Sequence, residues 1–254
     1  MKTNWNYSDL AKSYVSRPEY SNKALNDLFA YLPTNNRDSV KICDVGAGVA
    51  HLTLPLLKCG FSVDAVEPND EMRAIGKKRT EDYLNIAWYE GTGENTGRKK
   101  LDYEAVTFGS SFNVTDRELS LKESHRILKE KGIFVCMWNH RDLNDPIQKY
   151  VEDIILKYIP NYDYGSRREN QTEIIKKSGL YSNIKYLEGT TAYNVNKDDW
   201  LEAWKSHATL HRQAKEKFDV IIDEINSFVI SNCPDKICVP YTTKIWLAKK
   251  IKIK

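Results

Sequence analysis

Apolar residues along this chain fall into two alternating patterns. Short runs rich in Val, Ile, Ala and Phe occupy 40–45, 61–66, 86–89, 105–108 and 133–138, and each predicts a buried strand. Between them, 52–58, 70–79 and 116–129 read as helices. A further amphipathic helix is predicted over 21–32, with Leu25, Leu28, Phe29 and Leu32 on one face. Lys131-Gly132 makes a stop before the fifth strand. Strands and helices alternating at these lengths imply a parallel sheet covered on both faces.

After the fifth strand the pattern changes. A helix is predicted over 145–158, a polar loop containing tyrosines over 160–170, and a short helix over 171–178 that Gly179 ends. A strand follows over 184–193, then a mostly helical stretch over 198–230 and a final strand over 241–248. An insertion between two late strands reads as a cap over a site. Its Trp200 and Trp204, at helical spacing, read as core, although they and Tyr162 and Tyr164 could line an acceptor pocket. No internal repeat or low-complexity tract is present.

The chain has 254 residues, of which 41% are hydrophobic, enough for one large α/β domain with an insertion. The formal charge is +3, but four positive charges lie in the tail 249–254, so residues 1–248 carry a formal −1. A body so near neutrality argues against coating nucleic acid with a basic face, and the tail reads as a solvated chain end. The five cysteines, Cys43, Cys59, Cys136, Cys233 and Cys238, form no CxxC pair, and no second ligand pair stands near Cys233 and Cys238 to complete a zinc site. Reduced cysteines suit a cytoplasmic protein. No apolar run is long enough for a signal peptide or a membrane span.

The densest chemistry lies in KICDVGAGVAHLT, residues 41–53. An apolar strand ends at Asp44, turns through Gly46-Ala47-Gly48 and enters a helix-like segment. Such a turn lets backbone approach a small ligand where a Cβ would collide with it, and it aims helix N–H groups at an anionic part. The next strand ends in Glu67, placed to accept bonds from both hydroxyls of a ribose. Glu67 would also favour the dipole of the helix that Pro68 begins; the glycine turn upstream favours the ribose. The third strand is followed by Gly91-Thr92-Gly93-Glu94, the fourth by Ser110-Ser111-Phe112-Asn113, and the fifth runs into His140-Arg141-Asp142.

This order resembles the class I S-adenosylmethionine-dependent methyltransferases, and more narrowly the methyltransferase type 11 and trans-aconitate methyltransferase-like branch. The matching stretches are YVSRPEY (14–20), DVGAGVAHLT (44–53), VEPNDEMR (66–73), EGTGEN (90–95) and FGSSFNVTDRELSLKESHRILKEKGIFVCMWNHRD (108–142). The resemblance implies a single three-layer αβα, Rossmann-like domain over 1–254. It has a seven-stranded, mostly parallel sheet, its last strand antiparallel, plus a helical cap. Residues 1–38 would be an N-terminal lid and helix, 39–142 the cofactor-binding core, and 143–254 the substrate-side half with the cap at about 197–232.

The resemblance also implies roles. Gly46, Ala47 and Gly48 would cradle the methionine part of S-adenosyl-L-methionine, with Asp44 bracing the loop. Glu67 would hold the ribose, and Pro68 and Met72 would pack near the adenine. Gly93 would offer its backbone, and Glu94 its side chain, at the adenine edge. Ser110 would lie near the sulfonium. Tyr14 and Arg17 would close over the carboxylate end, which a guanidinium fork suits. The implied activity is transfer of a methyl group to an oxygen or nitrogen of a small molecule, a carboxylate, phosphonate-like or sugar-type metabolite. The protein would act as a monomer or homodimer without nucleic acid or membrane.

One departure matters. The branch often carries His-Trp after the fourth strand, where this chain has Asn113-Val114. Asn113 cannot act as a base at neutral pH. His140 and His207 are the candidate bases, the latter sharing a helix face with His211. Rival readings are an RNA or protein methyltransferase, an inactive cofactor-binding module, and a nicotinamide oxidoreductase. The last needs GxGxxG, and the third glycine position holds His51.

Overall fold

A computed structural model of the chain describes residues 14–15, 17–33, 36–205 and 207–252. Ser16 and much of the expected lid over 1–38 (residues 1–13, 34 and 35) lie outside them. The strands are β1 (Lys41–Val45), β2 (Ser62–Val66), β3 (Ile86–Tyr89), β4 (Tyr103–Gly109), β5 (Leu128–Arg141), β6 (Tyr181–Asn196) and β7 (Lys236–Lys250). They form one sheet in the order β3-β2-β1-β4-β5-β7-β6. Pairing is parallel from β3 to β5, whereas β7 runs antiparallel to both β5 and β6. The expected seven-stranded, mostly parallel sheet is therefore present.

Strand alternation sorts the side chains to two faces. Ile42, Ala105, Ile133, Val135 and Met137 pack with Leu25, Leu28 and Phe29 of α1 (Asn22–Phe29) and Leu56 and Leu57 of α2 (Thr53–Lys58). Cys43, Val106, Phe108, Phe134 and Cys136 pack on the opposite face with Leu121 and Ile127 of the 117–127 helix and Ile175 of the 172–177 helix. In chain order these two are α4 and α6, because α3 (Asp70–Arg79) follows β2 and α5 (Pro146–Tyr158) follows β5. Asn69 caps α3, its side chain accepting from the Met72 N–H at 3.0 Å.

The mostly helical stretch expected over 198–230 is made of three helices, α7 (Lys197–Lys205), α8 (Ala208–Ala214) and α9 (Phe218–Asn232). It breaks where His207 caps α8 and again at Lys215, whose φ is +50°. The last two strands are much longer than their apolar runs, because the edge strand β6 faces solvent along much of its length and lacks a dense apolar signature. The basic tail is not wholly solvated. Lys249 and Lys250 belong to β7, and the Lys250 ammonium donates to the Leu128 carbonyl at 2.7 Å.

A third core lies apart from the sheet faces. Val151, Ile154 and Ile155 of α5 join Trp200, Leu201 and Trp204 of α7, Leu210 of α8, Ile221, Ile222, Ile225 and Val229 of α9, and Val195, Ile237 and Val239 of the antiparallel β6–β7 pair. Trp200 and Trp204 are thus core residues of the cap.

Helix α3 sits unusually close to the glycine turn. A Cβ on Gly76 would come 2.9 Å from the Gly48 carbonyl oxygen and 2.2 Å from the Trp88 ring. Gly76→Ala gains about 1 kcal/mol of helix propensity, but the overpacking costs about 1–3 kcal/mol. A net destabilisation is expected, read as a lower urea midpoint at unchanged m-value.

Candidate active site

The sheet order reverses between β1 and β4, so the chain leaves these neighbouring strands in opposite directions and opens a crevice at their carboxyl ends. Gly46 and Ala47 fold back there, both N–H groups donating to the Val66 carbonyl at 2.8 and 3.1 Å. Gly46 and Gly48 have φ of +66° and +55°, the left-handed region that favours glycine.

The two glycines serve different ends. The sequence suggests that a Cβ at either would strike a ligand. At Gly46 it would instead strike Ser111, 2.4 Å from its Cβ. Ser111 is held there by donating to the Val45 carbonyl at 2.6 Å, which stitches β1 to β4. At Gly48 the nearest atom to an added Cβ is the Met72 sulfur at 3.9 Å, so this glycine keeps its outer face open.

Asp44 is buried beneath the turn. Its carboxylate accepts from Thr53 Oγ1 at 2.7 Å and Thr107 Oγ1 at 2.8 Å. Burial pushes its pKa up to about 6 against the pull of these hydroxyls, and the Glu67 charge adds to the rise. Glu67 is 6% exposed. Its Oε2 accepts from the Gly48 N–H at 2.8 Å and its Oε1 from the Asn69 N–H at 2.9 Å. Burial raises its pKa, opposed by those backbone bonds. Each oxygen retains a second lone pair, so the carboxylate braces the turn and can still take two hydroxyls. Met72 is buried against Val49, with Tyr14 and Ile75 alongside, and Pro68 is half-buried next to Glu67.

Gly93 is buried against Ser120 and Thr115. One Glu94 oxygen accepts from the Asp116 N–H at 2.7 Å, which ties that carboxylate to the start of α4. Ser110 has φ of +60°, and its hydroxyl meets the Tyr20 hydroxyl at 2.9 Å. Strained non-glycine backbone of this kind marks sites where geometry is over-determined. The Arg17 guanidinium lies 3.4 Å from the Tyr14 ring centroid, and His51 donates to the Tyr14 carbonyl at 2.6 Å. The segment reaching Tyr20 is strapped across β5 by the Asn139 amide, which donates to the carbonyls of Pro18 and Glu19 at 3.1 and 2.9 Å. Tyr20, Ser111 and Asn139 carry no role in the sequence; all three stand inside the matching stretches 14–20 and 108–142, but only folding brings them together.

The histidines selected as bases are differently employed. His207 Nδ1 accepts from the Leu210 N–H at 3.2 Å, capping α8, and the ring stacks on Trp204. Its lone pair is committed, and burial, reinforced by Arg141, Arg167 and Arg17, pushes its pKa down to about 3. His140 is buried, and its Nε2 donates to the Arg167 carbonyl at 3.0 Å. Burial, with Arg168 and Lys244 nearby, pushes its pKa down to about 4. Both rings are neutral at pH 7, and neither is a strong base there. Asn113 is also fixed, accepting from Trp138 Nε1 at 2.8 Å. A capping role for His207 predicts that His207→Ala lowers the urea midpoint by about 1 kcal/mol equivalent and that His207→Asn restores it.

A surface depression of about 580 Å³ lies between α4 and α6, lined by Arg117, Glu169 and Lys176 among others, and holds none of these groups. Among the described residues there is no group of three metal-ligating side chains, and no helix is long and apolar enough to cross a membrane.

An open sheet with a glycine turn after β1, an acid after β2 and an antiparallel seventh strand defines a class I S-adenosylmethionine-dependent methyltransferase. The chain belongs to the ubiE/COQ5 methyltransferase family, whose model matches residues 23–162. It is 30% identical over 129 residues to a demethylmenaquinone methyltransferase of Staphylococcus saprophyticus, an alignment covering 49% of this chain and 55% of the relative. It is 25% identical over 225 residues to an uncharacterised methyltransferase of Schizosaccharomyces pombe, covering 86% and 85%. The chain spans about half the length of the first curated relatives it matches. Among solved structures it is similar in fold to the YcgJ protein of Bacillus subtilis (TM-score 0.56, 16% identity, 91% of this chain and 99% of that one). It is also similar to Haemonchus contortus phosphoethanolamine N-methyltransferase 2 in complex with S-adenosyl-L-methionine (TM-score 0.55, 17% identity, 96% and 56%).

Proposed function

We propose that this protein transfers a methyl group from S-adenosylmethionine to an oxygen or nitrogen of a small-molecule acceptor. The observation that carries the reading is the buried Glu67 carboxylate at the crevice. It is bonded through one lone pair of each oxygen to the Gly48 and Asn69 N–H groups, beside the open face of Gly48. A ribose diol fits the remaining lone pairs, and the residues present therefore suit the cofactor. Asp44 would brace the turn from below, and Met72 would pack near the adenine with Pro68. Gly93 and the second oxygen of Glu94 would meet the adenine edge. Arg17 and Tyr14 would close over the carboxylate end, and Ser110, held by Tyr20, would lie near the sulfonium.

The cofactor supplies a methyl already activated on a sulfonium. The chain has to hold a nucleophile in line with it, and such positioning is worth on the order of 7–11 kcal/mol. The cap and the 17–20 strap exclude water over the crevice. His140 and His207, neutral and hydrogen-bonded, would orient an acceptor rather than strip it of a proton, which suits an acceptor oxygen that needs no base.

Calorimetric titration with S-adenosylhomocysteine tests the cofactor assignment, and methyl transfer from labelled S-adenosylmethionine to a metabolite panel tests turnover. Binding with label incorporation is expected. NADH binding by fluorescence, without S-adenosylhomocysteine binding, would replace this reading with an oxidoreductase.

A further inference from the structure

Beside the cofactor crevice, the end of β5 and the loop after α5 bring together three half-buried arginines: Arg141, Arg167 and Arg168. The backbone fixes them as neighbours. Arg168 donates to the Arg141 carbonyl at 3.5 Å, and the Arg167 carbonyl accepts from His140 at 3.0 Å. Arg141 lies over the Trp204 ring at 4.4 Å and donates to the Gln148 side-chain carbonyl at 3.0 Å. Arg168 lies over the Tyr164 ring at 4.3 Å.

The cluster is under-compensated. Among the described residues none of the three forms an ion pair within 4.0 Å, and the Arg167 guanidinium makes no hydrogen bond. One carboxylate, Glu152, stands within their field, and burial raises its pKa. Burial lowers the pKa of all three arginines, and their mutual repulsion adds to that for Arg167 and Arg168. Grouping desolvated like charges costs stability and is retained where a ligand supplies the missing charge.

A second observation points the same way. Among the described residues five buried polar side-chain atoms have no hydrogen-bond partner, and three of them belong here: Gln148 Nε2, Glu152 Oε2 and the Tyr164 hydroxyl. Gln148 is fully buried and Glu152 is 8% exposed. The Arg141 bond fixes the Gln148 amide with its oxygen toward Arg141, which leaves the NH₂ as a spare donor. Two of these orphans, the Gln148 NH₂ and the Tyr164 hydroxyl, are donors, and orphaned buried donors beside guanidinium groups without an ion pair describe a site for an acceptor-rich anion. The cluster lies beside the crevice: the 166–168 turn that carries Arg167 and Arg168 packs against the 112–114 turn that follows β4.

We infer that the methyl acceptor is an anion, held through a carboxylate or phosphate group by Arg141, Arg167 and Arg168 with the Gln148 amide. This rests on the methyltransferase reading above and names the substrate class of the same site. The arginines fix the acceptor's charged end, the cap aromatics cover it, and the reacting atom lies toward Ser110.

The test uses the full chain saturated with S-adenosylhomocysteine. Tricarballylate, its neutral triamide and inorganic phosphate are titrated calorimetrically into the wild type, Arg167→Gln, Arg168→Gln and, as a control of equal charge change before β1, Arg37→Gln. Tricarballylate or phosphate is expected to bind, the better of the two naming the group. The triamide should not bind, and either cluster substitution should weaken the anion at least tenfold while S-adenosylhomocysteine affinity stays within twofold. Labelled methyl transfer should enter carboxylate- or phosphate-bearing acceptors, with KM raised in Arg167→Gln. Anion binding that is absent, or equally weakened by Arg37→Gln, overturns the inference and leaves the methyltransferase reading standing. So does transfer to neutral phenols at rates indifferent to Arg167→Gln. Failure of S-adenosylhomocysteine itself to bind the wild type overturns both.

Discussion

Glu67→Ala is expected to weaken S-adenosylhomocysteine binding by about a hundredfold or more. Two charge-assisted hydrogen bonds to a ribose diol, each worth about 1.5 kcal/mol at the low end, sum to about 3 kcal/mol, and 1.4 kcal/mol is tenfold. The loss should exceed this sum, because the same carboxylate accepts from the Gly48 and Asn69 N–H groups and so shapes the turn that faces the ligand. Calorimetry gives the affinity, and the urea midpoint shows whether the fold survives. A variant that folds and binds within threefold of wild type would remove Glu67 from the cofactor site.

Asp44→Asn is expected to raise stability at pH 7 while lowering cofactor affinity. The folded-state pKa is about 6 against an ordinary 3.8, and burial is the chief cause. The folded protein therefore holds this proton more tightly than the unfolded chain does. Below about pH 4 both states are protonated and the group has no effect. As pH rises through the interval to 6 stability falls, and above it the full penalty applies. At 1.36 kcal/mol per pKa unit that penalty is about 3 kcal/mol. Asparagine keeps an acceptor for one threonine hydroxyl and can donate to the other, so it avoids the penalty. The buried negative charge matters for a ligand that carries a sulfonium and an ammonium, and its removal should cost roughly tenfold in affinity. Thermal unfolding from pH 4 to 8 should show the variant's advantage growing with pH. An advantage that shrinks as pH rises would contradict the assignment.

The strand and turn signals in the first half of the chain were legible because they are local. The apolar run before Asp44, the glycine turn and the acid at 67 depend on period and backbone conformation, which the residues themselves carry. Asp70–Arg79 and Ile86–Tyr89 fall where the periodicity places them. The proposed acceptor side was poorly legible because its signals are distant in sequence. Arg141 meets Arg167 and Arg168 only through the loop after α5, and Gln148 looks like any polar helix residue until burial singles it out. The partners of the histidines were hidden for the same reason. A sequence shows an imidazole but not the Leu210 amide or Arg167 carbonyl that occupies it.

The paired arms of β6 and β7 run on past the end of β5, whose terminal Arg141 pairs with Tyr241, and Val195, Ile237 and Val239 at their tips join the cap's own core. On the proposed reading, nucleotide grip and partner choice would thereby be seated in separate apolar interiors joined by a two-stranded stalk, so lineages sharing this sheet could change the molecules they methylate by rebuilding what sits on the stalk.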